Sequence, residues 1–222
     1  MESSESSRPD ANFLRQRGRS LVFAVPVRPG DRVAVVGPHP GIIDAVRLLA
    51  AHPISVLGPT QRRKADLGEI VRGEGDGRLP LAGASVDHVI VPRLGVPLAA
   101  AADELARVVR RGGHVVVVAA NRWAAPRDPL AVGSAGGSRL LRGAGFTDVV
   151  VHAIPQLDSP RHLVPVASRA AHRWYLRSAF PAATRKDAAV AGLAQLLSLP
   201  PTVGLILSAL GFSARRADGR RS

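Results

Sequence analysis

The run Arg32-Val33-Ala34-Val35-Val36-Gly37-Pro38-His39-Pro40-Gly41 constrains this chain more than any other. Four consecutive apolar residues lead to a glycine, and a second glycine opens the amphipathic stretch Ile42 to Ala51. That pattern reads as a buried strand, a tight turn and a helix. Glycines at such a turn let a ligand approach bare backbone, and the helix start points N–H groups at it. Here the middle of the turn is Pro-His-Pro. Pro38 and Pro40 carry no N–H and fix φ near about −65°, so the turn is stiff and poor in donors.

The rest of the chain repeats the strand–helix alternation. Ile54 to Leu57 reads as a second strand, ended by Gly58-Pro59. Thr60 is placed to cap a helix carrying Arg62, Arg63, Lys64 and Leu67, and Gly73 to Gly77 reads as a loop. Val86 to Val91 reads as a third strand, Ala99 to Arg110 as a helix stopped by Gly112-Gly113, and Val115 to Ala119 as a fourth strand. Ser134 to Gly143 reads as a helix and Phe146 to His152 as a strand. Leu21 to Val25 fits a short lead-in helix or turn at the sheet edge. Parallel-type apolar strands alternating with helices predict an α/β fold with a Rossmann-like doubly wound sheet.

With 222 residues, 46% of them hydrophobic, the chain supports one core rather than two. We divide it into a disordered polar tail over 1–19, one domain over 20–216 and a basic tail over 217–222. Within the domain, 168–211 is expected as a helical addition. Ala188 to Ala214 has no charged residue, but Pro200-Pro201 interrupts it. Two short helices packed on the sheet and a final strand near Phe212 to Arg215 fit it better than a membrane span. With no leader-like apolar segment at the start, the expectation is a cytoplasmic protein.

The net charge of +13 is almost all arginine, since Lys64 and Lys186 are the only lysines. The arginines are scattered and aromatics make up only 4%, so nucleic acid is not the expected partner. Without cysteine there is no thiolate chemistry, and His39, His52, His88, His114, His152, His162 and His172 show no paired ligand spacing, so no metal site is expected. His39 and His88 are expected near the carboxyl ends of parallel strands, where α/β ligand crevices form, with a place inside the strand as the alternative for His88. Gly133 to Ser138 reads as a loop and helix cap, and Pro155 to Pro165 as a long connection.

Four segments together carry a family resemblance. Pro29 to Gly41 resembles the first motif of class I S-adenosylmethionine-dependent methyltransferases, commonly PGxxVLDLGCGTG. Asp76-Gly77-Arg78-Leu79-Pro80-Leu81 followed by Ser85 to Ile90 is similar to the family's D-A-x-x-LPF and SFDVV segments. Glu104 to Gly113 resembles its ELxRVLKPGG turn, and Leu140 to Val149 its LLxxAGFxxV segment. The four stand in family order over about residues 20 to 155.

The resemblance implies a seven-stranded sheet with a last antiparallel strand, S-adenosylmethionine as cofactor, and a small-molecule or carrier-bound substrate. It places the cofactor against Gly37, His39, Gly41, Gly58, Asp76 and Gly77; it names no catalytic residue. Three positions depart from the family pattern. Val35 stands where the family has a carboxylate, His39 replaces the second loop glycine, and Gly58 replaces the acid that takes the ribose hydroxyls. A charge-assisted hydrogen bond contributes about 1.5–3 kcal/mol, so losing the ribose acid alone removes roughly one to two decades of affinity. Two functions follow: an atypical methyltransferase of a small molecule or natural product, or a non-catalytic partner subunit that meets another protein through the apolar C-terminal segment.

Overall fold

The computed structural model describes residues 19–58, 61, 69–73, 78–154, 163–168, 170–171 and 208–218. A 3-10 helix, Arg19–Ala24, precedes strand β1 (Arg32–Val36), helix α1 (Pro40–Leu48), β2 (His52–Leu57), β3 (Glu69–Arg72) and β4 (Val86–Val91). Then come α2 (Leu98–Val108), β5 (Val109–Ala120), α3 (Ser134–Gly143), β6 (Phe146–Ile154), β7 (Val164–Pro165) and β8 (Ala209–Arg216). The strands form one sheet in the order β3-β2-β1-β4-β5-β8-β6-β7. The first five positions are parallel, and β8 inserts antiparallel between β5 and β6. The resemblance implied seven strands; the eighth is the two-residue β7, which pairs with the outer side of β6.

The central strands are continuous apolar runs because both faces of the sheet are covered. Val33, Ala34 and Val35 of β1 are fully buried, as is every residue of β4. On one face Ile42, Ile43 and Val46 of α1 and Leu21 and Val22 of the 3-10 helix pack on Val33, Val35, Ile90 and Val116. On the other, Leu98, Leu105 and Val108 of α2 and Leu141 of α3 pack on Ala34, Val89, Val115 and Phe212. Gly137 of α3 is the contact point with Phe212: a Cβ there would lie 2.4 Å from the ring.

Several elements differ from the sequence reading. Strand β3 was not expected; Glu69-Ile70-Val71-Arg72 is a half-exposed edge strand whose charged ends mask its apolar centre. Helix α2 stops at Val108, and β5 begins at Val109 and runs through the two glycines read as a helix stop. Gly113 has that position because β4 passes close by: a Cβ would lie 2.3 Å from the Asp87 carbonyl. The expected strand near Phe212 to Arg215 is β8, which runs to Arg216 and begins at Ala209, so 209–211 are strand rather than the end of the expected helical addition. Arg216 Nη1 donates to the Ala144 carbonyl at 2.5 Å and its guanidinium lies over the Phe146 ring, which ties β8 to the end of α3.

Most of the expected helical addition, 169 and 172–207, lies outside the described residues, as do the N-terminal tail, the helix around Arg62 to Leu67 and the loop 155–162. Among the described residues no helix is long and apolar enough to cross a membrane.

Candidate functional site

The carboxyl ends of β1, β2 and β4 meet in a cavity of about 270 Å3. Val36, Val56, Leu79, Val91, Leu94 and Leu105 supply its apolar walls, and Gln61, Arg78 and Glu104 its polar side chains. Gly58, at the end of β2, lines it too. Asp76 and Gly77 lie outside the described residues.

The turn after β1 is closed on itself. Gly37 takes a left-handed conformation, φ +97°, and its N–H donates to Val56 O at 2.8 Å. The His39 N–H donates to Gly37 O at 3.1 Å. Pro38 and Pro40 have no N–H to give. Four of the five positions from Gly37 to Gly41 therefore offer a ligand no backbone donor. The His39 carbonyl in turn accepts from Ile42 and Ile43, which starts α1 behind Pro40 at its first turn.

The imidazole of His39 folds back over Gly37. A Cβ built on Gly37 would lie 3.0 Å from His39 Nε2 and 3.1 Å from its Cδ2. The bare face of the glycine is thus covered by the histidine two residues later. Burial pushes the His39 pKa down to about 4, so the ring is neutral at neutral pH. Val35 is fully buried in the α1-side core, so this position presents no group to the cleft.

At the end of β2 the Gly58 N–H donates to Gln61 Oε1 at 3.0 Å. A Cβ at Gly58 would meet the Gln61 carboxamide at 3.8 Å, so the amide of Gln61 occupies the neighbourhood where a longer side chain would extend. Glu104 is the one carboxylate among the described lining residues, and it is committed elsewhere. Its Oε1 accepts from the Leu79 N–H at 2.8 Å and its Oε2 from Arg107 Nε at 2.8 Å. Arg107 also donates to the carbonyls of Leu81 and Leu79, at 2.8 and 2.9 Å. The hydrogen bond from Arg107 holds the Glu104 carboxyl below its ordinary range. Glu104 and Arg107 thus fasten segment 79–81 to α2 as one wall of the cleft. This clamp is not legible in the sequence, because it joins residues 25 to 28 positions apart.

His88 does not reach the carboxyl end of its strand; the alternative, a place inside the strand, is the one the fold adopts. It lies inside β4, opposite Val33 near the start of β1. There His88 Nε2 is 3.0 Å from Asp31 Oδ2, and the same oxygen accepts the Arg28 N–H at 2.7 Å. Asp87 takes the Arg32 N–H at 2.7 Å and pairs with Arg110 Nε at 2.5 Å. The His114 ring is 5.6 Å from that of His88. Burial lowers the His88 pKa against the pull of Asp31 and Asp87. For Asp31 burial works upward, but the bonds from Arg28 and His88 carry the carboxyl below its usual value. This network fastens the amino ends of β1, β4 and β5, far along the strands from the cleft. Among the described residues no three His, Asp or Glu side chains are placed to hold a metal ion.

No family model matches the sequence, and no curated protein matches it. Solved structures do. A SAM-dependent methyltransferase from Archaeoglobus fulgidus superposes with a TM-score of 0.57 at 12% identity, covering 92% of this chain and 94% of that one. A methyltransferase from Haloferax volcanii, solved in complex with the Trm112 methyltransferase activator, gives 0.55 at 18% identity over 93% and 91%. Geranyl diphosphate C-methyltransferase from Streptomyces coelicolor, with bound S-adenosyl-L-homocysteine, gives 0.55 at 13% over 90% and 78%. The protein has the fold of the class I S-adenosylmethionine-dependent methyltransferases. At these identities the likeness concerns the fold; the chemistry has to be argued from the cleft.

Proposed function

We propose that this is a non-catalytic protein of the methyltransferase fold, serving as a partner subunit rather than transferring methyl groups. The observation that carries the reading is the His39 imidazole seated on Gly37. The resemblance places the cofactor against Gly37, His39 and Gly41 of this turn. Here the Gly37 face is covered and the N–H groups of Gly37 and His39 are spent within the turn. The absence of an acid at Gly58 removes the expected hold on the ribose, and Glu104 does not replace it because Arg107 and Leu79 occupy its oxygens.

Partnership is supported by analogy with the Haloferax volcanii methyltransferase, which is found with an activator protein. The part of the uncharged run that precedes β8, Ala188 to Leu207, is our candidate contact segment. An atypical methyltransferase of a small molecule is the second reading; the cavity beside Gly58 favours it, since space for a ligand remains there.

Calorimetry on the full chain separates the two. With S-adenosylmethionine or S-adenosyl-L-homocysteine at up to millimolar concentration we expect no saturable heat. A dissociation constant in the low micromolar range would overturn the non-catalytic reading and favour the second.

A further inference from the structure

The amino end of the sheet carries an exposed surface that the cleft does not use. Leu48, at the end of α1, is 80% exposed and Phe23, in the 3-10 helix, is 77% exposed; they are the two most exposed large apolar side chains among the described residues. Leu21, Val22 and Val46 of the same two elements are buried against the sheet, so Phe23 and Leu48 stand on the outside of one covering layer. The turn Arg28 to Asp31 reaches both. Its Gly30 N–H donates to the Ala50 carbonyl at 2.9 Å, two residues after Leu48, and the Arg28 charge acts on His114, which lines a surface depression with Phe23. Arg28, Arg32 and Arg111 are exposed at this end, and their side chains make no ion pair or hydrogen bond among the described residues. The carboxylates around them are mostly taken. His88, Arg110 and backbone N–H groups hold Asp31 and Asp87, Arg47 holds Asp44 and Arg215 holds Asp218, which leaves Asp148 in the Phe23 depression. Both ends of the described chain adjoin this surface: Arg19 opens the 3-10 helix and Asp218 pairs with Arg215. The sequence places Arg15 and Arg17 just before the first and Arg220 and Arg221 just after the second.

We propose that this amino-end surface docks on an anionic lipid bilayer, with Phe23 and Leu48 entering the headgroup layer and Arg28, Arg32, Arg111 and the arginines of both tails facing the phosphates. A single exposed apolar residue means little. Bulky apolar side chains among unpaired arginines are a different matter, because their burial supplies affinity at an interface and the charges select an anionic one. A nucleic acid fits less well: successive bases need several aromatic platforms, and Phe23 is the one exposed aromatic at this end among the described residues. The inference goes beyond the non-catalytic reading and does not depend on it, since the cleft lies at the opposite ends of the strands.

The test is co-sedimentation of the full chain with vesicles of phosphatidylcholine alone and of phosphatidylcholine with about a third phosphatidylserine. The chain is expected to pellet with the anionic vesicles, to stay in solution with the neutral ones, and to be released as salt rises. Phe23→Ser with Leu48→Ser should lower the partition coefficient about tenfold or more. Arg28→Gln with Arg32→Gln should lower it by about the same factor. Thermal unfolding should not change in either variant, because all four side chains are exposed. Equal binding to neutral and anionic vesicles overturns the inference, as does binding that the serine variant leaves intact, or no binding at all. A dT oligonucleotide that binds the wild-type chain but not the serine variant assigns the surface to nucleic acid instead. A dimer in sedimentation velocity that the serine variant dissolves assigns it to a second copy. Tight binding of S-adenosylmethionine would defeat the non-catalytic reading and leave this inference standing.

Discussion

The same central strands end in two opposite ways. At their amino ends Asp31, Asp87, His88 and Arg110 join the start of β1 to β4 and β5 through hydrogen bonds and ion pairs. At their carboxyl ends β1, β2 and β4 stop around an apolar cavity whose glycine turn is filled by its own histidine. Polar side chains are thus concentrated where a ligand would not be expected in an α/β sheet, and are sparse where one would be. The difference teaches that the framework of the fold is held independently of its usual ligand crevice. Once the amino-end network and the two core layers fix the sheet, the crevice residues are released from a structural role and their chemistry is open to change.

Acid should have the largest effect, and mainly through histidines that lie outside the amino-end network. Burial lowers the pKa of His39 and His152 to about 4 and depresses His88 and His114 in the same direction. A folded pKa below the unfolded value of about 6.5 means the unfolded chain takes up protons first, so stability is present above pH 6.5 and is lost as pH falls toward 4. His39 and His152 together should cost about 4 kcal/mol between pH 7.5 and pH 5. Urea midpoints at the two pH values measure this, and His152→Gln should remove about half of the dependence. An unchanged midpoint would mean the rings are solvated.

Next in size, Asp87→Ala removes the acceptor of the Arg32 N–H and the partner of Arg110. We expect a loss of about 2 kcal/mol at neutral pH, since it leaves the part-buried Arg32 N–H without its acceptor while the exposed Arg110 can turn to solvent, and thermal unfolding with denaturant titration reads it. A loss under about 1 kcal/mol would show that the amino-end network is not what fixes the sheet.

Glu104→Ala should have the smallest effect on global stability, about 1 kcal/mol, with a local consequence. It frees the Leu79 N–H and unlocks Arg107, so hydrogen exchange should rise over Leu79 to Leu81 and stay constant in β4. Equal exchange in both segments would mean that the clamp does not shape the cleft wall.

Much of this architecture was legible in the sequence because it rests on local pattern. The strand–turn–helix at Gly37, the apolar run of β4, helix α3 and the final strand all come from periodicity and glycine placement. What failed to show was what depends on distant partners. Gly112-Gly113 looks like a helix stop in isolation, but Gly113 is a strand residue kept bare by the Asp87 carbonyl. His88 looked like a crevice residue because its partner, Asp31, stands 57 positions earlier. At the candidate site Val35, His39 and Gly58 stand out in the sequence by their departure from a motif and Gly37 by its match to it, whereas the seating of the His39 ring and the roles of Gln61, Glu104 and Arg107 required the fold.

The central claim is that His39 closes the turn over Gly37. Titrating its imidazole by NMR, with and without 2 mM S-adenosylmethionine, tests this most directly. The account predicts a ring that stays neutral down to a pKa of about 4 and does not respond to the cofactor. A ring that titrates near 6.5 and shifts when S-adenosylmethionine is added would contradict it, because the imidazole would then be in solvent and the glycine face open.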